Sequence, residues 1–125
     1  MSTSPIRNEF IKLLQRAIQK DASDIHLKTG SPPYFRVNGE LAPIGEEPIY
    51  PETMSQILNI MLNDEQMRVF SQRGDLDFAF YEKGVGRFRV SIFRQRGTVS
   101  CVMRKIKTRI QTFEELHLPP QIVRF

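Results

Sequence analysis

The sequence predicts an α+β domain: an antiparallel sheet with helices packed on one of its faces. Three observations lead there. Apolar residues recur at helical spacing near the N-terminus and again after Pro51. They alternate at period two in several short segments, and those segments are joined by hairpin turns instead of regular crossover helices. The face of the sheet away from the helices is expected to be partly polar.

Ser4-Pro5 reads as a helix start, with Ser as N-cap and Pro in the first turn. Ile6, Phe10, Leu13, Leu14, Ala17 and Ile18 then form one apolar stripe, giving a helix to about Lys20. DIHLK at residues 24–28 alternates, with Ile25 and Leu27 on one side and Asp24, His26 and Lys28 on the other. TGSPP is a turn, and residues 34–37 form a second strand. Asn38-Gly39 is the strongest short hairpin signal in the chain, and it returns the backbone through residues 40–44. Pro51 opens a helix carrying Met54, Ile57, Leu58, Met61 and Leu62 on one stripe. Asn63 followed by Gln66 has the spacing of a capping box for a further helix through Phe70. Residues 75–81 alternate again, turning Leu76, Phe78 and Phe80 to one side. Gly84 and Gly86 make a turn, and two more strands follow at about residues 87–94 and 98–106.

At 125 residues the chain suits one domain, burying roughly two-thirds of its unfolded surface. Charged content of 26% with 40% apolar residues separates it from disordered chains. No apolar run has transmembrane length, and MSTSPIRNEF lacks the apolar core of a signal peptide. The single cysteine, Cys101, excludes an internal disulfide and points to a reducing compartment, the cytoplasm. The ending HLPPQIVRF reads as a cut through a longer protein.

Charge is distributed very unevenly. Residues 83–109, KGVGRFRVSIFRQRGTVSCVMRKIKTR, hold nine of the 18 Lys and Arg and no acid, leaving nine bases against all 14 acids elsewhere. Such a concentration of like charge is costly unless an anion meets it. A two-residue loop at Gln95-Arg96 would set Arg94 opposite Gly97, Arg89 opposite Val102 and Arg87 opposite Arg104. Alternation then puts Arg87, Arg89, Ser91 and Phe93 on one face with Thr98, Ser100, Val102 and Arg104. Phe88, Val90, Ile92, Val99, Cys101 and Met103 point to the core. Three guanidiniums crowd the first face, where like charges destabilise a strand pair. Two readings stand open. Asp24, Asp75 or Asp77 from neighbouring strands neutralises the cluster, or a phosphate or carboxylate ligand does, since Arg forks match those groups bidentately.

Other candidates are thinner. His26 and Asp24 share a face, but a metal site needs another ligand, while Cys101 belongs to the core and His117 is distant in sequence. Asp75 and Asp77 could be paired for acid–base work, yet they read better as solvated residues or partners for Arg. Ser23, Ser31 and Cys101 lack a nucleophile's surroundings. Gly84-Val85-Gly86 precedes a strand and is a turn, and no GxxxxGK[ST] phosphate loop occurs in the chain.

Several stretches together resemble a known family. ASDIHLKTGSPPYFRVNGEL at residues 22–41, GDLDFAF at 74–80, GVGRFRVSIFRQRGTVSCVMRKI at 84–106 and TFEELHLP at 112–119 are similar to the pilus-retraction ATPases, the PilT family of type IV pilus (twitching motility) motors. The likeness covers residues 4–125. It implies a hexameric, cytoplasmic ATPase of the secretion superfamily, peripheral to the inner membrane at the pilus base. Each subunit has a PAS-like N-terminal domain, here residues 1–111, and a RecA-like ATPase domain, of which residues 112–125 would be the linker and start. It also implies that Arg89, in RVS, and Arg104, in VMR, reach the ATP phosphates when the interdomain cleft closes, with their charges left unpaired. Arg87 and Arg94 would be additional basic contacts.

By the same resemblance ATP and Mg2+ belong to the full-length parent, with none bound by this fragment alone and no metal site in it. The implied partners are its own C-terminal RecA-like domain, neighbouring subunits of a homohexamer and the pilus base machinery, and no nucleic acid. No Walker A motif or catalytic Glu lies in the chain, so the fragment is expected not to hydrolyse ATP and no residue in it is given a catalytic role. Two alternatives come from other classes. A basic ribbon with Phe93 interleaved could bind nucleic acid, though the acidic remainder and the lack of aromatic stacking clusters argue against it. A PAS-like sensor could enclose a small ligand, though the large apolar residues are needed for the core.

Overall fold

Alternation along the strands and spacing along the helices produce the expected layers. A computed structural model describes residues 5–106. The cap expected at Ser4, the bases Lys107 and Arg109, the segment 112–125 with His117, and hence the boundary at residue 111, lie outside the described residues. Within them the order is α1 (Pro5–Gln19), β1 (Asp24–Lys28), β2 (Tyr34–Val37), β3 (Glu40–Pro43), α2 (Pro51–Met61), α3 (Asp64–Arg73), β4 (Asp75–Glu82), β5 (Gly86–Gln95) and β6 (Thr98–Lys105). The six strands form one sheet in the order β3-β2-β1-β6-β5-β4, with every neighbouring pair antiparallel. The first and last strands meet at its centre.

Local chemistry sets the punctuation. Asn63 caps α3 as expected, its side chain accepting from the Gln66 amide at 2.7 Å while Gln66 accepts from the Asn63 amide at 2.9 Å. The helix continues past Phe70 to Arg73 because Gly74, at φ 84°, supplies a left-handed C-cap whose N–H reaches the Phe70 carbonyl. Asn38-Gly39 forms the β2–β3 turn at φ 53° and 82°.

The β5–β6 turn corrects the sequence expectation. It sits at Arg96-Gly97, with φ of 55° and 81°, and not at Gln95-Arg96. A two-residue turn of this twist requires positive φ at both central positions, and Gly97 takes it without a Cβ penalty. The register therefore pairs Arg89 with Arg104 and Ser91 with Val102. Arg87 lies beyond the ladder's end, its carbonyl accepting from the Ile106 amide. The displacement moves every partner by two residues, so each side chain keeps its face.

One side of the sheet is sealed. Ile25, Leu27, Phe35, Phe88, Val90, Ile92, Cys101 and Met103 are each 2% exposed or less. They pack in one cluster with Phe10, Leu14 and Ala17 of α1, Met54, Ile57, Leu58 and Met61 of α2, and Phe70 of α3. Burying each large side chain contributes about 1.5–3 kcal/mol. Arg7 reaches both carboxylate oxygens of Glu82, at 3.1 and 3.2 Å, tying α1 to the end of β4. With helices on that side, the opposite face carries the polar half of each strand. No helix among the described residues is long and apolar enough to cross a membrane.

Candidate functional site

The sheet register lines up one row of side chains across all six strands: Leu41, Arg36, Asp24, Arg104, Arg89 and Ala79 are successive cross-strand neighbours on the open face. At the usual strand spacing of about 4.8 Å, the four charged members span about 14 Å. The row thus holds three guanidiniums and one carboxylate, which pairs with two of them.

Asp24 organises this row. Its side chain is only 9% exposed, and its two oxygens are divided between flanking strands. Oδ2 accepts from Arg36 Nε at 3.0 Å, and Oδ1 accepts from Arg104 Nε at 3.2 Å. Arg36 is held a second time through Nη1, which donates to the Gly39 carbonyl at 3.2 Å. Arg104 is different. Its side chain is 72% exposed, and among the described residues its terminal Nη groups donate to nothing.

The sequence left open whether acids neutralise the basic cluster, and the three acids named divide. Asp24 engages Arg104, so the expectation of an unpaired Arg104 is corrected: β1 lies directly beside β6 and brings the carboxylate to it. Asp75 pairs with Arg73 at 3.3 Å instead, on the exposed rim. Asp77 lines a depression of about 240 Å³ together with Arg89, Ser91, Val102 and Arg104. Among the described residues no carboxylate lies within ion-pair distance of Arg89.

The two further basic candidates do not join the pair. Arg87 stands on the open face with its guanidinium 5.8 Å from the Tyr81 ring centre. Arg94 turns the other way, over the Phe70 ring of α3 at 4.7 Å, while its amide donates to the Gly74 carbonyl. Lys105 meets Asp21 at 3.6 Å. The structure brings Arg89 and Arg104 together and leaves Arg87 and Arg94 apart.

A second depression, of about 290 Å³, opens on the same face beside His26, Tyr34, Phe93, Ser100 and Val102. Asp24, the expected companion of His26, is taken up by the two arginines. Among the described residues no three side chains of metal-ligating type converge. Cys101 lies in the core, where burial pushes its thiol up to about 12.

Arg36 was missed from sequence. Its signal was present: the TGSPP turn pairs DIHLK with YFRV, which sets Arg36 opposite Asp24. The contact between Asp24 and Arg104 spans 80 residues and carried no such local sign.

This arrangement can hold a multiply charged anion. Two arginines opposed across β5 and β6, one without a carboxylate among the described residues and one gripped only by its Nε, offer donors of the kind that phosphate oxygens accept.

Two curated proteins with a similar sequence are pilus ATPases. The type IV pilus ATPase PilU of Pseudomonas aeruginosa is 41% identical over 89% of this chain and 29% of its own length. The type IV pilus retraction ATPase PilT of the same organism is 34% identical over 86% of this chain and 31% of its length. The chain thus spans about a third of the length of the curated relatives it matches. No protein-family model matches it. Among solved structures, the pilus retraction motor PilT with bound ADP superposes with a TM-score of 0.72 at 33% identity, over 97% of this chain and 34% of that one. The Legionella pneumophila ATPase DotB gives 0.71 at 22% identity over 98% and 35%, a likeness of fold.

Proposed function

This chain is an N-terminal domain of a PilT-like ATPase, and on that premise we propose that it supplies Arg89 and Arg104 to the phosphates of an ATP held by a RecA-like domain of the same polypeptide. The observation that carries the reading is the Arg89–Arg104 pair, directly opposed across β5 and β6 on the open face, with Arg89 lacking any carboxylate among the described residues. Placing two like charges opposite one another disfavours the strand pair. A polyphosphate offsets that cost and gives the pair a function. The donor set fits ATP, which Mg2+ would accompany. The chain's own part is to orient two guanidiniums toward charge that develops during phosphoryl transfer, as an arginine finger does.

The remainder of the proposal follows the family. The assembly is a homohexamer in which this domain contacts its own ATPase domain and neighbouring subunits, in the cytoplasm at the inner-membrane base of a type IV pilus. Alone it does not turn over ATP, because the sequence contains no phosphate loop. The PAS-like description belongs to the same proposal, supported by a sheet whose first and last strands pair at the centre. Asp24, Asp75 and Asp77 interrupt the basic face, which favours a compact anion over a nucleic-acid backbone.

The test is ATP turnover by the full-length protein. Arg89→Ala and Arg104→Ala are each expected to lower kcat by about a hundredfold or more while the protein stays folded. Turnover within about threefold of wild type in both variants would remove the phosphate-contact role.

A further inference from the structure

Asp24 is nearly buried, yet it lies among charges on a face that is otherwise open. Its carboxylate bonds to Arg104 through Nε alone, the side of the guanidinium nearest the backbone. A carboxylate free to choose would take an arginine through two parallel N–H bonds. Here the second oxygen is already occupied by Arg36 Nε at 3.0 Å, and Arg36 is itself fixed by the Gly39 carbonyl of the β2–β3 turn. Asp24 therefore grips Arg104 with one oxygen and leaves the arginine's two Nη groups without a hydrogen-bond partner among the described residues.

We infer that Asp24 is a positioning residue for Arg104, and that Arg36 keeps it in that role by occupying its other oxygen. The inference rests on the phosphate-contact reading of Arg104. It adds a specific division of labour within the row Arg36–Asp24–Arg104–Arg89. Arg36 is an anchor that never meets the ligand, Asp24 is the lever, and Arg104 and Arg89 are the contacts. An arginine on an exposed strand loses rotamer freedom when it binds an anion. Holding Nε beforehand removes part of that cost, and the saving is realised when charge on the phosphate is greatest.

The experiment is steady-state ATP turnover by the full-length protein carrying Asp24→Asn, Arg104→Ala, or both. Asp24→Asn is expected to lower kcat about tenfold with KM for ATP changed less than about threefold, since orientation matters most in the transition state. In the Arg104→Ala background the same substitution should have no further effect, because a positioning residue acts only through its target. Multiplicative losses in the double variant, or unchanged kcat in Asp24→Asn alongside a large loss in Arg104→Ala, would overturn the inference while leaving the phosphate-contact reading intact. Turnover within about threefold of wild type in Arg104→Ala overturns this inference together with the phosphate contact of Arg104.

Should Asp24→Asn fail to fold, Arg36→Gln provides the second test. It frees one oxygen of Asp24 to capture Arg104 more fully, so kcat should fall about threefold, and only where Arg104 is present. An unchanged kcat in Arg36→Gln overturns the proposed anchor.

Discussion

Neighbouring residues of β5 sit in opposite surroundings. Phe88, Val90 and Ile92 are sealed beneath three helices, whereas Arg87 and Arg89, one step along the same strand, stand on a face with no helix over it among the described residues. Burial on the first side is uniform and apolar, and any substitution there is a packing problem. On the second side Asp24 is shared between Arg36 and Arg104, while Arg89 has no carboxylate within ion-pair distance among the described residues. The contrast teaches that one sheet can separate stability from recognition by period two alone. The covered face supplies the free energy that allows the open face to keep charges in an arrangement that does not favour folding.

Removing the covered face's support should have the largest effect. Phe88→Ala deletes a ring that is 1% exposed and is expected to cost about 3–5 kcal/mol in urea unfolding. A loss below about 1 kcal/mol would mean that the helices do not pack on β5 as described.

An intermediate effect comes from Cys101 on the same face. Its folded thiol titrates at about 12, above the ordinary 9.0, because burial disfavours the thiolate. The unfolded chain therefore gives up its proton first as pH rises. Stability from this group is complete below about pH 9 and declines from there to about pH 12, by up to about 1.4 kcal/mol per pH unit. Cys101→Ala should lose less stability than wild type between about pH 8 and 10.5, the difference approaching about 2 kcal/mol. Identical declines in urea midpoint would show that the thiol is not sealed.

The smallest effect belongs to the open face. Arg89→Ala relieves an opposed like-charge pair and removes no ion pair among the described residues. Its unfolding free energy should stay within about 0.5 kcal/mol of wild type, on the stabilising side if anywhere. A marked destabilisation would make Arg89 a structural residue and erase the contrast between the faces.

Much of this was legible beforehand, for reasons that differ by element. The capping box at Asn63 and Gln66 and the turn at Asn38-Gly39 are readable because their partners lie within three residues. The facing of Arg89 and Arg104 survived a misplaced turn, because moving the loop from Gln95-Arg96 to Arg96-Gly97 changes each partner by two and leaves parity intact. The family resemblance grouped Arg94 with Arg87 as an additional basic contact. Parity alone sends it to the helices, where its guanidinium covers Phe70.

By itself the sequence determined the kind of each element, its approximate position, which side of each strand would be apolar, and that Arg87, Arg89 and Arg104 would share the open face. Those are consequences of backbone periodicity and turn stereochemistry, which act over a few residues. Only the tertiary structure decided that β1 lies between β2 and β6, and hence that Asp24 would be gripped by Arg36 and Arg104 together. Pairing strands 80 residues apart depends on how all the apolar faces are covered at once. No local pattern encodes that choice, and the charge that organises the open face follows from it.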